Sequence, residues 1–162
     1  MSKKMITMFL IGCFSLSTLH AVEVKPKDMV EVNKVKEEFK PVKLEVLLTY
    51  MSNQSKNERS DEITTIEHSK TDGKNYTIPA KVDTNSKTYK KIESDAKLNF
   101  KSEYKSKLMA EIQKGHIQLL CSDPITYVLL ERGAIFHYEY VDINNKYFGS
   151  TKITYSSCKK GV

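Results

Sequence analysis

His137 and Glu139 occupy alternate positions of one stretch, so on a strand they would point to the same side. An imidazole and a carboxylate are ligands that Zn²⁺ accepts, with His116 or His68 as a third. No H-E-x-x-H or comparable spacing completes a ligand set, so these residues read as structural or surface groups, and no metal or other cofactor is expected. Cys121 or Cys158, with His116 or His137 as base, would be the parts of a thiolate nucleophile. That chemistry needs a free thiol, and two cysteines 37 positions apart are far from C-x-x-C spacing. Ser150 lies in Gly149-Ser150-Thr151, which is not a G-x-S-x-G elbow. The six glycines are scattered singly, so no phosphate-cradling loop exists. Asp61 and Glu62 sit in a polar stretch where solvent is the default. No catalytic residue is assigned.

Aromatic residues are the remaining chemical signal. Phe136, Tyr138, Tyr140, Tyr147, Phe148 and Tyr155 crowd one segment. Tyrosine suits interfaces because it buries area while keeping a polar tip. One face of this group is expected to fill the core. Tyr138, Tyr140, Tyr147 and Phe148 are the candidate interaction surface, and its partner would be another envelope protein.

These residues need elements to hold them. Ala134 to Asp142 predicts a strand, residues 143–145 a turn, and Lys146 to Tyr155 the returning strand. Before them, Ser122-Asp123-Pro124 marks a helix start that carries Ile125, Val128 and Leu129 inward and stops at Gly133. Residues 105–121 have a helical stripe of Leu108, Ile112 and Leu119 or Leu120, with Gly115 as its weak point. Alternation predicts strands at Val42–Tyr50 and Leu98–Tyr104, and a further strand at Ile63–His68. Thr71-Asp72-Gly73 is a turn signal.

The N-terminus sets the compartment. Lys3 and Lys4 precede an apolar run from Ile6 to Phe14, and Leu19-His20-Ala21 ends in a small residue, the layout of an export signal over residues 1–21. Two processing routes are open. Cleavage between Ala21 and Val22 is the favoured one; alternatively, Leu10-Ile11-Gly12-Cys13 resembles a lipobox, with Cys13 lipidated. No run of 18 apolar residues exists, so no permanent transmembrane helix is expected, and membrane attachment would require lipidation at Cys13. Either route leaves Cys121 and Cys158, an even pair that in an oxidising compartment is most simply a disulfide. Lys3 and Lys4 are the only charges in the first 21 residues, so processing lowers the formal net charge from +6 to +4. Without a block of like charges or a basic stripe, no nucleic-acid partner is expected. Residues 22–41 are polar with Pro26 and Pro41 at the ends, read as a short helix or as a leader or linker.

The order Ile78-Pro79, Val82-Asp83, Thr88, a strand ending in Tyr104, then Cys121-Ser122-Asp123-Pro124, Gly133-Ala134, Tyr138-x-Tyr140 and Cys158 resembles a group of uncharacterised small exported bacterial proteins. They share a Cys, a short helix, a Gly, an aromatic hairpin and a closing Cys over roughly residues 76–158. The resemblance implies the disulfide and the hairpin, and carries no catalytic residue across. Where such proteins have Asp-Gly or Asn-Gly in the turn, this chain has Asn144-Asn145-Lys146, which remains feasible because Asn tolerates positive φ.

Together these features predict an α+β domain over residues 42–162, with a small antiparallel sheet, one or two short helices and a Cys121–Cys158 disulfide. The expected function is that of a non-enzymatic exported envelope protein that binds another protein or assists a surface assembly. The alternatives are a small periplasmic metal-dependent hydrolase using His116, His137 and Glu139, and a secreted inhibitor or immunity-type protein.

Overall fold

In the computed structural model, which describes residues 23–160, helices cover one face of a mixed sheet. The first helices are α1 (Met29–Phe39) and α2 (Leu44–Gln54). Four strands follow: β1 (Glu58–Arg59), β2 (Thr64–Ile66), β3 (Lys70–Asp72) and β4 (Asn75–Val82). A helical crossover comes next, made of α3 (Lys87–Phe100), a 3₁₀ turn (Lys101–Glu103), α4 (Tyr104–Ser122) and α5 (Pro124–Glu131). The hairpin β5 (Ile135–Asp142) and β6 (Tyr147–Ile153) and a last helix α6 (Tyr155–Lys160) complete the chain. The α+β class and the disulfide are as expected, with more helices than the sequence pattern indicates.

The sheet runs β1-β2-β4-β5-β6, and β3 pairs with the first half of β4 while β2 pairs with its second half. All pairs are antiparallel except β4–β5, which is parallel because the helical crossover returns the chain to the same end. Alternation sets the faces. Tyr76, Ile78, Ala80 and Val82 of β4 are buried beside Phe136, Tyr138 and Tyr140 of β5 and Thr151 and Ile153 of β6. Between them, Asn75, Thr77, Pro79, His137, Glu139 and Lys152 point to the opposite, solvent-facing side.

The local signals around α5 are confirmed in detail. Asp123 caps it by accepting from the Thr126 amide, and Pro124 stands at its start. At its end Gly133 takes φ 97°, its amide donating to the Leu130 carbonyl and the Ala134 amide to that of Leu129, which is a Schellman ending. The hairpin turn is held by Asp142, whose carboxylate accepts from the Asn144 and Lys146 amides, with Asn145 at φ 60°. The register slips at Tyr140/Val141, so Tyr147 faces Val141 on the outer side instead of sharing the inner face of Gly149 and Thr151. Tyr155 lies in α6, beyond the strand expected to include it.

Three expectations need correction. Residues 44–54 are helix, not the strand expected at Val42–Tyr50. Burying Leu44, Leu48 and Ser52 at four-residue spacing satisfies the core and leaves Val46 and Tyr50 in solvent. The strand expected at Leu98–Tyr104 is the end of α3 and the start of α4, where Ser86 caps α3 through the Tyr89 amide and Tyr89 and Ala96 turn inward. The segment read as a helix or a leader is α1, integral to the fold: Asp28 caps it, Val32 is 0% exposed, and it packs on α5. Arg132 fastens it further by donating to the Phe39 and Val42 carbonyls.

Cys121 at the end of α4 and Cys158 in α6 form the disulfide, with Cα atoms 5.6 Å apart and both side chains wholly buried. The entering chain is clasped to the same place. The Val24 amide donates to the Cys158 carbonyl at 3.0 Å, and Glu23 forms an ion pair with Lys159. No described helix is long and apolar enough to cross a membrane. The expected signal segment, Cys13, and the Ala21/Val22 junction lie outside the described residues.

Candidate functional site: an apolar cleft over the sheet

The helices do not close completely on the inner face of the sheet. Between them lies a cleft of about 410 Å³, within the usual range for ligand pockets. Its floor is the sheet, with Tyr76, Ile78 and Tyr138 facing it. One wall is α3 and α4, which contribute Tyr89, Ile92, Leu108, Ile112 and Leu119; the other includes Met51 of α2 with Ile63 and Ile66. Most of these side chains are apolar, so emptying water from the cleft onto an apolar occupant is favourable at about 25 cal/mol per Å² removed from water.

Local bonding holds the second wall in place. The Ser52 hydroxyl donates to the Ser69 carbonyl at 2.6 Å, and the Ser55 hydroxyl accepts from the Ser69 amide at 2.9 Å. These bonds join the end of α2 to the chain entering β3. Near the loop that leads into β2, the Asp61 carboxylate accepts from the Ile63 and Thr64 amides at 2.8 and 2.7 Å, which fixes the turn that presents Ile63.

One polar cluster is embedded in this surface. His116 of α4 is 0% exposed and lies between Tyr138 and Tyr140 of β5 and Thr151 of β6. Its Nδ1 is 2.6 Å from the Thr151 hydroxyl and its Nε2 2.8 Å from the Tyr140 hydroxyl. A neutral imidazole meets both, donating from one nitrogen and accepting at the other. Burial pushes its pKa down to about 3, so it stays neutral through the ordinary range. The Tyr138 and Tyr140 phenols are pushed up, first by the same burial. The cluster is therefore uncharged and hydrogen-bonded, a polar spot in an apolar site.

The residues singled out from the sequence separate into two groups. His116 is on the inner face, whereas His137 and Glu139 are on the outer face of β5, so the sheet lies between the proposed metal ligands. His137 is 3.3 Å from the Asn75 side chain, and His68 bonds Ser55 on α2's end. Among the described residues no three His, Cys, Asp or Glu side chains come together as a metal site. Cys121 and Cys158 are consumed in their disulfide, which removes the thiolate a nucleophile needs. Tyr138 and Tyr140, expected in an exposed interaction surface, are buried because their face of β5 is the covered one. Phe148 is half-buried at the cleft, and Tyr147 is 67% exposed on the other side.

The cleft itself was only partly foreshadowed. Leu108, Ile112 and Leu119 belong to the stripe read from residues 105–121, but a stripe reports only which side turns inward. The contributions of Ile63, Ile66, Tyr89 and Ile92 depend on long-range packing. Tyr89 and Ile92 had a usable signal in Ser86, a helix N-cap three residues ahead of Tyr89.

No protein-family model matches the chain, and no curated protein matches it in sequence. Solved structures do. A crystal structure of a candidate secreted protein from Pseudomonas aeruginosa is similar over 71% of this chain and 92% of its own length, at 16% identity and a TM-score of 0.55. The pilotin of the Vibrio vulnificus type 2 secretion system is similar over 81% of this chain and 97% of its own, at 10% identity and a TM-score of 0.49. The type II secretion system pilotin of Vibrio cholerae covers 80% and 97%, at 10% identity and a TM-score of 0.47. The similarity to the Pseudomonas protein establishes a shared fold for the greater part of this chain.

Proposed function

We propose that this is a non-enzymatic, exported cell-envelope protein that holds an apolar segment of another envelope protein in its cleft and so assists a surface assembly. The observation that carries this reading is the cleft itself. Apolar side chains from α2, α3, α4 and the sheet converge on a space of about 410 Å³, with only a neutral hydrogen-bonded cluster at the floor. Such a surface favours apolar side chains; Lys56, Glu58 and Asp61 also line it, and the Asp61 carboxylate is taken up by the Ile63 and Thr64 amides. Export is supported by the leader-like residues 1–21 and by a disulfide of the kind that persists in oxidising compartments. The name of the Pseudomonas protein of this fold, a candidate secreted protein, is in keeping with that location.

The test is photo-crosslinking in intact cells, with the crosslinker placed at Ile66 or Leu108 in the cleft and at Tyr147 outside it. Both cleft positions are expected to give one discrete protein adduct that the Tyr147 position does not. Ile112→Glu is expected to abolish that adduct while thermal unfolding remains cooperative. The absence of any cleft adduct, or equal adducts at Tyr147, would sink the reading. An acyl chain recovered from the purified protein by organic extraction would replace the protein partner with a lipid.

A further inference from the structure

Positive charge is distributed unevenly over this fold. Residues 87–114, which comprise α3, the 3₁₀ turn and the first half of α4, hold eight lysines against four acidic residues. Elsewhere among the described residues the two signs balance, so this one helical arm carries the whole +4 excess. Lys97 pairs with Glu93 and Lys114 with Glu111. The other six, Lys87, Lys90, Lys91, Lys101, Lys105 and Lys107, are exposed, and among the described residues none lies within ion-pair distance of a carboxylate.

The arm is two-sided. Tyr89 and Ile92 of α3 and Leu108 and Ile112 of α4 face the cleft. On the outer side of α3, Lys87, Lys91 and Leu98 fall at i, i+4 and i+11, close to whole turns of a helix. Leu98 is 77% exposed, the second most exposed large apolar residue of the described chain, and it lies where α3 ends. Lys101 then takes φ 51° as the chain reverses toward α4, which brings Lys101 and Lys105 to the same end of the arm as Leu98.

We propose that the tip of the α3–α4 arm is a docking surface for an anionic phospholipid membrane, with Lys101 and Lys105 meeting the lipid phosphates and Leu98 entering the headgroup layer. Lysines with no carboxylate partner retain their attraction for an anionic surface, and an apolar side chain among them adds burial that water does not oppose. The arrangement attaches the protein without an acyl group and goes beyond the cleft reading, which concerns the other side of the same helices.

Co-sedimentation with vesicles tests this, using the exported Cys13→Ser chain so that no acyl anchor contributes. Binding to phosphatidylcholine vesicles containing about one third phosphatidylglycerol is expected to exceed binding to phosphatidylcholine alone by about tenfold at low salt, and to weaken as salt shortens the Debye length. The pair K101E/K105E is expected to lose about tenfold, and L98S to lose affinity while retaining the salt dependence. K146E/K152E makes the same charge change on the β5–β6 hairpin, away from the tip of the arm, and is expected to bind as the parent does. Equal binding to both vesicles, binding to neither, or an equal loss from K146E/K152E would overturn the proposal, as would binding to heparin or nucleic acid without binding to the anionic vesicles. Neither vesicle result bears on the cleft crosslinks.

Discussion

The imidazole of His116 lies flat against the ring of Tyr138, with centroids 3.7 Å apart and planes inclined by 15°. The Tyr140 ring continues the parallel arrangement at 6.0 Å and 4°. A helix side chain is thereby keyed between two strand side chains, and α4 is fixed over the sheet at the cleft floor.

This arrangement makes stability depend on pH. Burial depresses the folded pKa of His116 to about 3 from an unfolded value of 6.5, so below 6.5 the unfolded chain binds the proton that the folded chain refuses. Above 6.5 the residue contributes no pH dependence; as pH falls from 6.5 toward 3, stability is lost. At about pH 5 the loss amounts to about 2 kcal/mol. Urea unfolding over this range is expected to show that slope, and His116→Gln is expected to flatten it while lowering stability at neutral pH. A wild-type slope that persists in His116→Gln would assign the effect elsewhere.

The disulfide closes a 37-residue separation that contains α5 and the β5–β6 hairpin. Replacing both cysteines by alanine is expected to cost about 4 kcal/mol on the chain-entropy estimate. It should also release α6, and with it the partner of the Val24 amide. Hydrogen exchange checks the second effect: Val24 should lose protection together with α6, while β4 and β5 remain protected.

Gly149 of β6 lies under α4, and a Cβ there would sit 2.6 Å from the Met109 sulfur. Gly149→Val is therefore expected to destabilise the protein by about 1–3 kcal/mol through overpacking. Pairing it with Met109→Ala should recover part of that cost, because the obstructing atoms all belong to one flexible side chain. A double-mutant cycle in denaturant measures the coupling; strict additivity would mean the two positions do not share the space.

Processing is open to direct measurement. Cleavage after Ala21 leaves Val22 as the first residue, next to the Glu23 that pairs with Lys159. The expected mass of the exported chain is that of residues 22–162, unchanged by Cys13→Ser or by inhibition of lipoprotein signal peptidase. A precursor that accumulates under inhibition would identify Cys13 as the lipidated residue instead.

The parts legible in the sequence are those fixed by local chemistry. Pro124 and Gly133 bound α5 because one lacks the amide a helix start does not use and the other tolerates the left-handed backbone at its end. Asn145 permits the hairpin turn in the same way. The first half was harder to read. Val42, Leu44, Val46, Leu48 and Tyr50 alternate, yet Leu44, Leu47, Leu48 and Met51 fit a helical stripe equally well, and only packing against the rest of the core chooses between them. The cleft was least legible of all. Helical periodicity turns Leu108 and Ile112 inward, but how far α3 and α4 stand from the sheet is set by many residues together.

The clasp between Glu23–Val24 and Cys158–Lys159 has a mechanical consequence. The polypeptide enters and leaves the domain at nearly one point, so the folded chain is close to a ring. Tension applied between its two ends loads the clasp first, and the disulfide then carries it from Cys158 to Cys121 without passing along the β5–β6 hairpin. A tether at either end would hang the domain from that single point, about which it can swivel with the sheet undistorted.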